Sequence, residues 1–182
     1  MADQRGTSVD AFPVRRVIMR ANFADARQWK QTRKVPSHDH ESDTVRVLAV
    51  HGEFHVEGPG GFPRNLYARA HSVSFVDVSV RCLELALDLG EQGPTARQAR
   101  FGFACRTLDS LHAARTHQTN LFPELERYIS LVWNRRIGYR TYPIGLTELQ
   151  HMIFEYCEIR PPSIRGIRAR LAYLDLAPKA EG

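Results

Sequence analysis

Cysteine is scarce in this chain, and its spacing excludes two classes of small protein. There are three cysteines, Cys82, Cys105 and Cys157, and no two of them form a CxxC pair. An odd number of widely separated cysteines argues against a zinc ribbon and against a disulfide framework. We interpret them as partly buried free thiols, as is usual in a reducing compartment.

Long apolar runs are also missing. No stretch approaches 18 consecutive apolar residues, so the sequence predicts no membrane-spanning helix. The basic start of the chain is not followed by the run of seven or more apolar residues that a secretory signal peptide needs. We therefore expect neither a membrane span nor a signal peptide.

The sequence lacks the short motifs of common enzymes. The loop GPGGFP (58–63) is not followed by GK[ST], and neither GxGxxG nor GxSxG occurs. The sequence therefore predicts no nucleotide cofactor and no serine nucleophile. An enzyme that uses Cys105, His51 or His55 is kept as a competing interpretation, although no local signature supports it.

Basic residues are present in excess, and they are unevenly distributed. The formal net charge is +5, and 43% of the residues are apolar, which is enough for a core. Residues 1–36 carry eight Lys or Arg against three Asp or Glu, whereas residues 41–94 are acidic. We predict a basic flexible arm over 1–43 and one globular domain over 44–182.

Three basic clusters are candidates for binding the phosphates of nucleic acid or anionic lipid. The first lies in the arm, the second follows a predicted helix, and the third lies near the end of the chain. Their members are Arg15, Arg16, Arg20, Arg27, Lys30, Arg33 and Lys34; Arg135, Arg136 and Arg140; and Arg165, Arg168 and Arg170.

Residues 44–57 alternate and predict a half-buried strand with a bend at Gly52. Leu48, Val50, Phe54 and Val56 would form its buried side, and His51, Glu53, His55 and Glu57 its exposed side. A zinc ion needs ligands at about 2.0–2.2 Å, but positions i and i+4 of a straight strand are roughly 13 Å apart. We therefore expect no metal here and interpret the exposed side as a surface for another subunit.

The rest of the chain predicts an α+β fold, with a small antiparallel sheet packed with two to three helices. The clearest helix is NLFPELERYISLVWNRRIG (120–138), with an apolar stripe of Leu125, Ile129, Val132 and Trp133. Residues 99–106 predict a strand, and 139–159 a turn that leads into a strand. Residues 163–176 predict a basic amphipathic helix.

The loop 58–63 has two interpretations. It is either a passive turn, or an exposed loop whose apolar tip, Phe62, docks onto a neighbouring copy or a bilayer interface. The second interpretation adds Phe62 to the predicted self-association surface.

The segment VRVLAVHGEFHVEGPGG (45–61), preceded by a basic arm, resembles the matrix proteins of rhabdoviruses. In that family a basic arm precedes a strand of similar pattern, a loop and a helix. The segment 139–159 resembles a later strand region of the same proteins. The positions that match the first pattern are Val45, Val47, Leu48, Gly52, Phe54, Val56 and Gly58.

The resemblance implies a non-enzymatic matrix protein without a cofactor. Such a protein self-associates into a helical or lattice assembly, condenses the viral nucleoprotein–RNA complex and links it to the anionic inner face of the membrane during budding. It also implies contact with the viral glycoprotein tail. The implied location is the virion beneath the envelope, and in the host the cytoplasm, inner membrane surface and nucleus. The alternative is a small cytosolic nucleic-acid-binding regulatory protein.

Overall fold

The computed structural model describes residues 12–20, 43–88, 98–136 and 145–177. Contacts divide the chain into two units, Met1–Ser79 with Thr107–Asn120 and Val80–Arg106 with Leu121–Gly182. The predicted α+β class is confirmed, with two four-stranded antiparallel sheets and four helices in the described part. Two units thus stand where the sequence predicted one globular domain over 44–182.

In its described residues, the first unit contains a sheet of order β1-β4-β2-β3 and two short helices. All paired strands in it are antiparallel. Its elements are β1 (Val14–Met19), β2 (Thr44–Val50), β3 (Glu53–Val56), α1 (Arg64–Arg69), β4 (Ser72–Asp77) and α2 (Ser110–Thr116).

Apolar side chains cover both faces of this first sheet. Leu48 and its face-mate Val50 form a buried cluster with Tyr67 of α1. Val47 points to the opposite face, because successive strand residues alternate. It packs with residues of α2, including Ala113. The last four residues of β2 are therefore all buried, because α1 packs on one face of the sheet and α2 on the other.

Strand β1 corrects the predicted N-terminal arm. The sequence placed Val14–Met19 in that arm, but these residues pair with β4. Val14 and Ile18 are 0% and 1% exposed. The basic residues between them dominated the composition of the segment and obscured two core positions.

The predicted strand over 44–57 is a hairpin. Val50 pairs with Glu53, and the two residues between them have positive φ, 48° at His51 and 86° at Gly52. That combination is the one a two-residue type I′ turn requires. Directly opposite residues share a face, so Phe54 lies with Ala49 and packs in the cluster of Val47 rather than that of Leu48.

The part of the second unit that the structure describes has a sheet of order β5-β6-β8-β7 and two longer helices. Strands β5 and β6 are paired antiparallel, as are β7 and β8. Its elements are β5 (Val80–Asp88), β6 (Gln98–Thr107, of which the first nine residues belong to this unit), α3 (Phe122–Arg136), α4 (Leu146–Ile159), β7 (Ser163–Ile164) and β8 (Ile167–Ala177).

Helices α3 and α4 pack on one face of this second sheet. Phe103 of β6 meets Tyr128 of α3 edge to face, with ring centroids 6.2 Å apart. Gln150 of α4 donates from Nε2 to the Leu174 carbonyl of β8 at 3.3 Å. The residues of β6 that face the helices are buried, while the alternate residues at its two ends are exposed. One face of this sheet is therefore the core side, and the other faces solvent.

Two secondary-structure predictions are wrong in this unit. Residues 146–159 form helix α4 instead of ending as a strand, and Leu149, Ile153 and Cys157 are its buried stripe at helical spacing. Residues 167–177 form strand β8 instead of a helix. The burial alternation of β8 changes parity between Ala169 and Leu174, so its apolar residues imitate helical spacing. The resemblance of 139–159 to a strand region does not extend to its structure.

Candidate polyanion-binding face

Four arginines lie on the outer surface of the second sheet. On β6, Arg100 and Arg106 are exposed, and they alternate with buried residues such as Phe101. On β8, Arg168 and Arg170 are exposed in the same way. Strand periodicity places each pair on the side opposite the helices. Arg170 also lines a cavity with Phe154 and Glu158 of α4. We call this surface the arginine face.

A tyrosine ring crosses the same surface. Tyr173 of β8 lies directly over Gly102 of β6, where an added Cβ would overlap the ring atoms Cδ1, Cε1 and Cζ. Its hydroxyl donates to Oε2 of Glu84 on β5. Glu84 lies directly opposite Gly102 in the pairing of β5 with β6. The ring therefore links three neighbouring strands, β8, β6 and β5. Glycine is required at position 102, because any side chain would displace the ring.

The electrostatics of the arginine face favour anions. Of the described carboxylates, Glu84 and Asp175 are exposed with outward strand parity. Glu84 is already bound by the Tyr173 hydroxyl, and this hydrogen bond raises the pKa of Tyr173 to about 12. Four guanidinium groups against two carboxylates give the surface a net positive charge. Arginine binds phosphate through a planar, bidentate fork.

The predicted basic clusters are distributed over both units. Arg165 lies exposed in the turn between β7 and β8, and Arg168 and Arg170 follow it on β8. Arg135 is exposed in the last turn of α3. Five other members lie outside the described residues: Arg27, Lys30, Arg33, Lys34 and Arg140. The backbone of Arg136 is described, but its side chain is not.

Two predicted phosphate ligands of the arm instead stabilise the first unit. Arg15 donates from Nε and Nη2 to Oδ2 of Asp77, at 2.9 and 2.5 Å. Arg20 donates from Nη1 to the carbonyl of Ala68. Arg16, between them, is exposed. Arg15 of β1 and Arg20, which follows the strand, therefore contribute to folding contacts that the sequence did not indicate.

The sequence predicted that His51, Glu53, His55 and Glu57 form one exposed row. In the structure they do not. His51 is in the hairpin turn, and Glu57 pairs with Arg46, whose Nε lies 2.6 Å from Oε2. His55 Nε2 and Glu53 Oε2 are 3.6 Å apart on one face of β3. Within the described ranges, no group of three His, Cys, Asp or Glu side chains could hold a metal ion.

Phe62 is not an exposed loop tip. Its side chain is half-buried and packs against the cluster of Leu48 and Tyr67. The Arg46 guanidinium lies over its ring, 5.9 Å from the centroid. The loop therefore folds its apolar residue back onto the first unit, which corrects the interpretation of Phe62 as a docking residue.

Replacing Phe62 with alanine is expected to destabilise the first unit by about 1–3 kcal/mol, somewhat less than a fully buried phenylalanine. The loss comes from the packing against α1 and from the contact with Arg46. Chemical denaturation measures it, and Leu108→Ala is the matched control because Leu108 is 59% exposed in the same unit. Unchanged stability combined with weaker self-association would restore the docking interpretation.

The cysteines lie in different environments. Cys105 is 0% exposed, and burial raises its pKa to about 12. Burial also raises the pKa of the Cys157 thiol. Both thiols are thus protonated near neutral pH, which does not favour them as nucleophiles. Cys82 is exposed on β5.

Sequence reasoning missed Arg100, Arg106 and Tyr173. The pattern QARFGFACRT contains the missing signal, since both arginines have the parity opposite to Phe101 and Phe103. Once 98–107 is read as a strand with one buried face, these arginines fall on its solvent side. Tyr173 had no such signal, because its position depends on the pairing of β8 with β6.

No family model, curated protein or solved structure matches this chain. No helix in the described part of the chain is long and apolar enough to cross a membrane. The functional argument accordingly begins from the arginine face and its surroundings.

Proposed function

We propose that this chain is a non-enzymatic structural protein of the matrix type. It self-associates, condenses a viral nucleoprotein–RNA complex, and links it to the anionic inner surface of a membrane beneath the virion envelope. The observation that carries the proposal is the arginine face, a solvent-exposed sheet surface with four guanidinium groups. The resemblance of residues 45–61 to rhabdovirus matrix proteins supplies the biological setting.

The physical basis is electrostatic. Each arginine that neutralises a phosphate of a nucleic acid releases condensed counterions, so the affinity falls steeply with salt. Near an anionic bilayer, each basic side chain contributes about 1 kcal/mol. Arg168 and Arg170 lie two residues apart on one strand, roughly 7 Å along it. Because the sheet fixes both backbones, binding of one polyanion requires only the two side chains to become ordered.

The second candidate is a small nucleic-acid-binding regulatory protein. The observation in its favour is Tyr173, an aromatic ring among the arginines, because aromatic stacking serves bases better than lipid headgroups. The two candidates differ in self-assembly and in membrane binding. Sedimentation and liposome flotation of the purified chain therefore distinguish them.

Reversing two charges of the arginine face is expected to weaken polyanion binding. The double variant Arg168→Glu, Arg170→Glu should lose at least about 2 kcal/mol of binding to phosphatidylserine liposomes, roughly 30-fold. Its affinity for RNA should also fall, with a smaller dependence on salt. Liposome co-sedimentation and an RNA titration at two salt concentrations measure these effects.

The matched control is Arg127→Glu, Arg160→Glu, which makes the same change in net charge at exposed positions of α3 and of the end of α4 in the same unit, outside the three predicted basic clusters. We expect a much smaller loss, because these residues are not on the arginine face. Equal losses in the two double variants would show that net charge alone is responsible. Failure of the unaltered protein to bind liposomes or RNA would contradict the proposal itself.

A further inference from the structure

The ring of Tyr173 is held flat against the sheet. A Cβ on Gly102 would lie nearest Cε1, with Cδ1 and Cζ equally distant and only slightly farther. A ring that met the glycine by its edge would hold those two atoms much farther away than Cε1. One face of the ring therefore covers Gly102, and the other points away from the sheet.

The orientation of this ring is fixed before any ligand arrives. Its hydroxyl is bound by the Glu84 carboxylate on β5, while its backbone belongs to β8. The ring thus spans from β8 across β6 to β5. An aromatic side chain held at both ends loses little conformational entropy on binding, so it forms a preorganised platform.

The surroundings of the ring leave its outer side accessible. Tyr173 is 38% exposed, a large fraction for a ring whose inner face is covered by backbone. The exposed neighbours on β5 that share the outward parity of Glu84 are small, Cys82 and Ala86, and Ala104 of β6 is also small. Arg100 is close enough to Tyr173 to influence its ionisation. The result is an aromatic plane that stands above small residues and beside guanidinium groups.

We infer that the arginine face binds single-stranded nucleic acid, with one base stacked on Tyr173 and phosphates farther along the nucleic-acid strand held by Arg100, Arg168 and Arg170. Stacking on aromatic side chains and neutralisation by a basic surface are the two elements of such sites. Sheet surfaces that carry aromatic rings stack bases in several RNA-binding modules. The inference rests on the proposed function and adds to it the site and the form of the nucleic acid.

Single-stranded nucleic acid fits this surface better than a bilayer. Peripheral membrane binding uses apolar side chains that enter the acyl boundary, usually from an amphipathic helix. Here the aromatic ring lies parallel to the sheet and is tethered through its hydroxyl, so it cannot insert. Duplex nucleic acid offers phosphates to the arginines but keeps its bases stacked on one another.

The test compares the full-length chain with Tyr173→Leu and Tyr173→Phe. The probes are a fluorescein-labelled 12-nucleotide oligouridine, an RNA duplex of the same length, and vesicles that contain phosphatidylserine. Leucine still covers Gly102 but has no aromatic face, whereas phenylalanine retains the face and loses the hydroxyl. We expect Tyr173→Leu to bind the oligouridine about 10-fold more weakly. We expect unchanged binding of that variant to duplex and vesicles. We expect Tyr173→Phe to bind the oligouridine more tightly than Tyr173→Leu but less tightly than the unaltered chain, because it keeps the aromatic face and loses the hydroxyl contact that fixes the ring.

Photocrosslinking gives a readout that depends on position. RNA that contains 4-thiouridine is expected to crosslink to the peptide that carries Tyr173 in the unaltered chain. Equal affinity of the unaltered chain and Tyr173→Leu for oligouridine, or a crosslink only in other peptides, would overturn the inference. If Arg168→Glu, Arg170→Glu still weakened binding in that case, the proposed function would stand while the stacking site fell.

Two other outcomes separate the inference from the proposed function. Binding to vesicles without binding to oligouridine would overturn the nucleic-acid site and leave the membrane role. Binding to neither probe would overturn both. Far-UV circular dichroism of each variant establishes that the second sheet is intact before any affinities are compared.

Discussion

Replacing Asp77 with alanine is expected to destabilise the first unit by about 2–3 kcal/mol, because it removes a buried carboxylate that accepts several hydrogen bonds, although the Arg15 side chain is 38% exposed. Asp77 is 1% exposed. Its Oδ2 accepts two hydrogen bonds from Arg15, and its Oδ1 accepts from Ser79 N and Oγ at 2.9 and 2.6 Å. The side chain therefore joins β1 to the end of β4 and closes the turn that follows.

The substitution removes these contacts together and leaves the Arg15 guanidinium without this carboxylate. Asp77→Asn keeps an oxygen for the Ser79 hydrogen bonds but loses the charge, so we expect an intermediate effect. Arg15→Met removes the other partner of the same ion pair. Arg16→Met is its matched control, because Arg16 is exposed on the same strand. Equal stability of Asp77→Ala and the unaltered chain would show that the network contributes little.

Amide hydrogen exchange is the appropriate measurement, because a chain with two units need not unfold in a single transition. We expect Asp77→Ala to reduce protection in β1, β2 and β4. Helices α3 and α4 belong to the second unit and should keep theirs. Uniform loss of protection over both units would instead indicate that they unfold cooperatively.

Replacing Ile129 with alanine is expected to destabilise the second unit by about 2–5 kcal/mol, the usual range for a fully buried aliphatic side chain. Ile129 is 1% exposed in the middle of α3, on the stripe with Leu125 and Val132. Removing three methyl or methylene groups leaves a cavity that the sheet and helices fill only in part. Hydrogen exchange should report reduced protection in β5, β6 and α4.

Leu131→Ala is the matched control on the same helix. Leu131 is 49% exposed, so its truncation should change the free energy of unfolding by no more than about 0.5 kcal/mol. Both variants introduce alanine, and the helix propensities of leucine and isoleucine differ by only about a few tenths of a kcal/mol, so a larger difference between the two losses measures burial. A loss at Leu131 as large as the loss at Ile129 would contradict the assignment of the core side of α3.

Local sequence patterns predicted helix α3 correctly but predicted strand β8 as a helix. The stripe of Leu125, Ile129 and Val132 was identified correctly from spacing alone, because one apolar face repeats over about two turns. In β8 the apolar residues Ile167, Leu171 and Leu174 repeat at intervals of four and three, which is the spacing of a helix. The parity change within the strand creates that spacing. Only pairing within the sheet distinguishes the two structures.

The candidate site was predicted in part, for a related reason. Arg168 and Arg170 were recognised as basic residues near the end of the chain, but on the wrong secondary structure. Arg100 comes from a strand almost 70 residues earlier, and the sequence contained no indication that the two segments share a sheet. The hairpin at His51 and Gly52 was likewise missed, since a bend and a reversal look alike in an alternating pattern.

The amino-acid sequence by itself determined the α+β class, the course of α3, the free thiols and the excess of arginine. These properties depend on composition and on neighbours a few residues apart, which sequence periodicity records. Only the tertiary structure decided that Arg15 pairs with Asp77, that Phe62 folds inward, and that Tyr173 lies across Gly102 to reach Glu84. These contacts depend on tertiary structure, because strand pairing and the packing of loops and helices on the sheets bring the residues together.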